Sequence, residues 1–107
     1  MERKEMLRNV MRLAWKILRR NGYEWSRCLR VSWANIKLTA AMKNRIVKFY
    51  FQKISGEIRE GWGTLQDHLL PEINPENKKT DDTCFIYYDT EKLGWRSFKK
   101  ANLISII

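Results

Sequence analysis

The sequence predicts an α+β chain in which an N-terminal helical hairpin precedes a small five-stranded β-barrel. Two patterns carry this expectation. Apolar residues recur at three- and four-residue intervals as far as Met42, and from Ile46 onward they alternate with polar ones between glycine-bearing turns. The hairpin is assigned to residues 1–44 and the barrel to residues 45–107. A chain of 107 residues holds one domain, or a barrel of about 60 residues with a helical appendage, and not two large cores.

In the first helix Met6, Val10, Leu13, Ala14, Ile17 and Leu18 form one apolar stripe, and Arg8, Arg12, Lys16 and Arg19 share another face. Asn21-Gly22 ends it, because glycine takes the left-handed cap conformation at little cost. Ser26 is expected to cap a second helix over Arg27–Met42, with Leu29, Trp33, Ile36 and Ala40 turned inward. A connection this short predicts an antiparallel pair. If the pair folds back on the barrel, Trp15 and Trp33 are expected at the junction.

The strands follow from a period of two. Val47, Phe49 and Phe51 fall on one side of the first strand, with Lys48, Tyr50 and Gln52 on the other. Ser55-Gly56 makes the turn, and the return strand runs from Glu57 to Leu65. Gly61 and Gly63 within it predict a bulge or bend. Residues 84–88 and 95–98 form a second hairpin around a polar tip at Asp89–Gly94, and a short closing strand ends the chain. Trp62 and Trp95, near bends, read either as exposed contact residues beside Tyr50 and Tyr88 or, the favoured reading, as filling the barrel together with Phe98. Between the hairpins, QDHLLPEINPENKKTDDT reads as a long loop, anchored by Leu69 and Leu70 and exposed over 75–82. Asp81-Asp82 within it reads as a turn signal and not as a metal site.

The stretch FIYYDTEKLGWRSFKKANLISI resembles the aromatic-strand, turn and W-R-x-F-basic ending of WYL domains, which have an SH3-like or Sm-like barrel fold. Residues 43–107 as a whole resemble the small WYL-related barrel proteins of gut bacteria and their phages and mobile elements. Such domains in transcription regulators are associated with binding nucleotides or nucleic acid. By the resemblance Arg96, Phe98 and Lys99 fall on the R-x-F-basic motif, with Tyr87 and Tyr88 on the aromatic strand. Asn102 departs from it, since an arginine that helps form the ligand pocket is usual there. The segment GYEWSRCLRVSWANIKL is also similar to a W-S-x-x-L-x-x-A/S-W helix of small proteins from the same phages and bacteria, and this likeness implies no function.

Charge is the most informative quantity once divided along the chain. Residues 1–45 hold 12 Lys/Arg and 3 Asp/Glu, and the remaining 62 hold nine of each, so the whole excess of +9 lies on the helices. Such a field attracts polyanions. The candidate contacts on the helices are Arg8, Arg12, Lys16, Arg19, Arg20, Arg27 and Arg30. On the barrel they are Arg59, Tyr88, Arg96 and Lys99. The same arginines also fit a solvated face, a helix-turn-helix or a docking surface for an acidic protein. The most basic stretch is the first helix, not the second, which argues against groove reading.

No phosphate-cradling glycine loop, nucleophile–histidine pair or carboxylate cluster is present, so no enzyme, no cofactor and no metal are expected. Cys28 and Cys84 lack metal spacing and read as buried reduced thiols. No run of about 18 apolar residues exists, and charges recur through the first 20 residues, so a cytoplasmic protein is expected, in a bacterial host by the resemblance. The leading functional expectation is a non-enzymatic nucleic-acid-associated protein of phage or mobile-element type. The alternatives are an accessory or inhibitor protein, for example of anti-CRISPR type, docking on a host nucleic-acid-processing complex, and a nucleotide-sensing module.

Overall fold

A computed structural model describes residues 3–69 and 83–106, which form two helices, α1 (Arg3–Asn21) and α2 (Trp25–Asn44), followed by five strands. The strands are β1 (Val47–Gln52), β2 (Ile58–Thr64), β3 (Cys84–Asp89), β4 (Gly94–Lys99) and β5 (Leu103–Ile106). They make one antiparallel sheet in the order β4-β3-β2-β1-β5. The α+β architecture and the five strands are those the sequence predicts. Residues 70–82, with Leu70 and the Asp81-Asp82 pair, lie outside the described residues, and Leu69 is exposed.

Helix α1 closes where expected: Gly22 adopts φ +66° and its N–H donates to Leu18 O at 2.9 Å. Helix α2 begins earlier than expected. Glu24 is extended at its N-terminus, its carbonyl accepts from Cys28 N at 3.1 Å, and Ser26 lies inside the first turn, donating to Glu24 Oε1. The inward stripe of α2 also differs. Cys28, Ser32, Asn35, Leu38 and Met42 are buried, Leu29, Trp33 and Ile36 are half-covered, and Ala40 is exposed.

Phe49 is the centre of the barrel core. It meets Tyr87 edge-on at 5.0 Å and lies 5.4 Å from Phe98, which stacks on Phe51 at 5.0 Å and on Phe85 at 5.2 Å. Leu38 and Met42 of α2 close this core from above. Each fully buried aromatic of this kind contributes about 2–3 kcal/mol through removal from water. A second core joins Leu13, Ala14 and Ile17 of α1 to Cys28 of α2 and to Ala101, which sits in a 3-10 turn, Lys100–Asn102, between β4 and β5. The helices therefore pack on the barrel. Asn35 pins them there, its Nδ2 donating to Lys100 O and to Val31 O at 2.8 Å each.

Three barrel expectations are corrected. The β1–β2 register runs unbroken from Val47↔Gly63 to Gln52↔Ile58, so Gly61 and Gly63 mark no bulge in that ladder. They make room for rings: a Cβ on Gly61 would lie 2.8 Å from Phe49 Cζ, and one on Gly63 would strike Tyr87. Of Trp62, Trp95 and Phe98 only Phe98 enters the core. Trp15 is not at the junction; it lies against Trp25, ring centroids 4.9 Å apart, and remains half exposed.

Candidate nucleic-acid interface

Two surfaces gather the cations. On α1 the buried side, Val10, Leu13, Ala14 and Ile17, faces the fold and leaves Arg8, Arg12, Arg19 and Arg20 exposed. Arg12, Lys16 and Arg19 surround Trp15 in a shallow hollow of about 290 Å³. An adjoining groove runs from Arg12 and Lys16 to Ile36 and Lys100, so the basic side of α1 reaches the turn before β5. Arg8, Arg12 and Arg19 form no ion pair among the described residues. On α2 Arg30 is exposed, and Arg27 lies over the Tyr23 ring, 3.7 Å from its centroid.

The second surface is a cleft of about 490 Å³ at the open end of the barrel, a size typical of small-molecule sites. Its floor is Phe51, Tyr87 and Phe98, and its sides carry Arg59, Arg96 and Lys99 from the sequence-predicted set, with Lys53 and Asn102. Strand alternation explains the convergence. Arg59 pairs across from Phe51 and Arg96 from Tyr87, so both arginines share the parity of the core residues. The β2–β3 ladder is short, Gly63↔Asp89 and Thr64↔Tyr88 alone, and β2 before Gly63 parts from β3 to leave the cleft open. Burial pushes the Tyr87 hydroxyl up to about 12; Asp89 adds to the shift, and Arg59 and Arg96 oppose it. Neither arginine is ion-paired with a carboxylate among the described residues.

Tyr88, a predicted contact, is not part of this cleft. It lies on the other face of β3, edge-on to Trp95 at 5.8 Å, and the cleft tyrosine is its neighbour Tyr87, which the resemblance places on the same aromatic strand. The outer face of the barrel is already engaged with itself. Trp62 Nε1 donates to Glu60 Oε1 at 2.7 Å, and Lys48 lies 3.8 Å from Glu60 and 5.6 Å from the Tyr50 and Trp62 rings. The hydrogen bond with Tyr50, followed by the charge of Glu60, holds the Lys48 ammonium above its ordinary value.

Both cysteines are free, Cys28 buried and Cys84 half-covered. Among the described residues no three His, Cys, Asp or Glu side chains converge as metal ligands, and no helix is long and apolar enough to cross a membrane. No curated protein and no solved structure matches the chain. A family model, described as WYL_2, Sm-like SH3 beta-barrel fold, matches residues 35–104, from the middle of α2 to the start of β5. That match takes in the cleft and its arginines and leaves α1 outside it; with the five-stranded sheet, it establishes that the chain belongs to the WYL_2 family of Sm-like SH3 β-barrels.

Proposed function

We propose that this protein is a non-enzymatic, nucleic-acid-associated module, in which α1 supplies electrostatic affinity and the barrel cleft an additional anion contact. The observation that carries the reading is that Arg8, Arg12 and Arg19 stay exposed, and without ion pairs among the described residues, after α1 has packed on the fold. Cations left unneutralised on one side gain from releasing the counterions of a phosphate chain. An inhibitory role at the nucleic-acid site of a host machine fits the same charge distribution, and a phage or mobile-element setting rests on the sequence resemblance.

The test is fluorescence-anisotropy binding to single-stranded RNA, single-stranded DNA and duplex DNA across a salt series, with an Arg8/Arg12/Lys16/Arg19→Glu variant beside the wild type. Affinity that falls steeply with salt and is lost in the variant supports the reading. Absence of binding at moderate salt overturns it and directs the search to an acidic protein partner.

A second reading is favoured by Arg59 and Arg96, which both act on Tyr87 from the walls of one cleft. Two guanidinium groups above an aromatic floor suit a nucleotide-sized ligand, with phosphate on the arginines and base on the rings. Calorimetric titration with nucleotides should then give saturable binding that Arg96→Ala abolishes.

A further inference from the structure

We infer that the hollow around Trp15 is a base-stacking platform, so that the nucleic acid taken by α1 is single-stranded. The inference rests on the nucleic-acid reading above and deepens it. It concerns a part of the chain that lies outside the family match.

Leu7, Met11 and Trp15 are 45%, 42% and 48% exposed, and their four-residue spacing places them along one open side of α1. A tryptophan half in water is unusual for a side chain of that area. Here the ring is also held in place: Trp25, from the start of α2, lies against it at 4.9 Å with the planes inclined by 47°. That contact leaves part of the indole uncovered in the hollow, where Arg12, Lys16 and Arg19 are its neighbours. The cations run beside the apolar row from Arg12 to Arg19, about 10 Å of helix axis.

The pairing of an immobilised ring with flanking cations distinguishes among polyanions. Duplex DNA presents phosphates and keeps its base faces stacked inside, so it would satisfy the arginines and leave Leu7, Met11 and Trp15 wet. A single strand offers both parts, a base face for the indole and phosphates for Arg12 and Arg19. A second copy of this chain is disfavoured by charge, since the same basic side would face itself. Stacking on an indole tolerates any base, so the platform predicts little sequence preference.

The experiment uses the full chain and three fluorescein-labelled probes: a thymidine 12-mer, the same length of abasic sugar-phosphate chain, and a duplex. Trp15→Ala and Trp15→Phe are compared with wild type and with Arg12→Ala/Arg19→Ala, after circular dichroism shows each to be folded. The expected result is that wild type prefers the thymidine oligomer to the abasic chain and the duplex. Trp15→Ala should lose about tenfold or more on that oligomer, with little change on the abasic chain, and Trp15→Phe should retain most of the affinity. The arginine pair should weaken all three probes and flatten the salt dependence. Equal binding of the thymidine oligomer by Trp15→Ala and wild type overturns the platform while leaving the nucleic-acid reading standing. Failure of every probe to bind wild type overturns both and assigns the row to an acidic amphipathic protein segment.

Discussion

Gly63 stands where β2 is paired on both sides, to Val47 of β1 and to Asp89 of β3, and a methyl group there has nowhere to go. Its Cβ would press into Cδ2 of Tyr87 and lie 3.0 Å from Cε of Met42, against an ordinary carbon–carbon contact of about 3.5–4.0 Å. The Met42 thioether can swing aside. The Tyr87 ring cannot, being edge-on to Phe49 at 5.0 Å and 6.0 Å from Phe98. Overpacking of this kind costs about 1–3 kcal/mol. Alanine recovers about 0.5–1 kcal/mol over glycine through backbone entropy within a strand. The net loss for Gly63→Ala is therefore about 1 kcal/mol at the midpoints of these ranges, a fall in Tm of roughly 5–10 °C for a domain of this size. Circular-dichroism melts and urea titrations would read it, with Gly94→Ala as the control, since a Cβ there meets only Lys92 O at 3.9 Å. Gly94→Ala should stay within about 0.5 kcal/mol of wild type. A Gly63→Ala protein that melts with or above the wild type would refute the account of β2 as a strand pressed by rings.

Three other outcomes follow from the same contacts. The Tyr87 hydroxyl is raised from 10.0 to about 12 in the fold, so the folded state keeps a proton that the unfolded chain releases. Its contribution is complete below pH 10 and is lost as pH rises through 12, by roughly 2–3 kcal/mol, and Tyr87→Phe should remove that part of the slope in urea midpoints. Asn35→Leu leaves the Lys100 carbonyl without its side-chain donor and should destabilise by about 1–3 kcal/mol in urea titration. Leu93 holds φ +51° at the β3–β4 tip while 75% exposed, so Leu93→Asn should raise the melting temperature, with a gain of up to about 1 kcal/mol.

Strand alternation made the barrel legible: Val47, Phe49 and Phe51 declare their side before any partner is known. The same parity, continued from Phe85, selects Tyr87 for the interior and Tyr88 for the exterior, and it puts Arg96 with Phe98. Composition does not separate the two adjacent tyrosines, whereas parity does. Helix α2 hid its inward side for another reason. Three of its five buried positions are Cys28, Ser32 and Asn35, small or polar groups chosen for close approach and for a bond to Lys100, so hydropathy favoured the half-covered Trp33 and Ile36 instead. For Gly61 and Gly63, a glycine in a strand signals either a bulge or a close approach. Only the rings placed beside them by the folded sheet decide which.

The turn between β4 and β5 has two tenancies. Lys99 and Asn102 belong to the wall of the cleft, while Lys100 borders the groove beside α1 and Ala101 is seated in the helical core. Four consecutive residues are thus divided between the cleft, the groove and the helical core. Were a ligand at one surface to change affinity at the other through this backbone, the reverse effect would equal it, because linkage between binding equilibria is reciprocal. In that case the two surfaces would answer as one receptor, and occupancy of the barrel would set the grip of the helix.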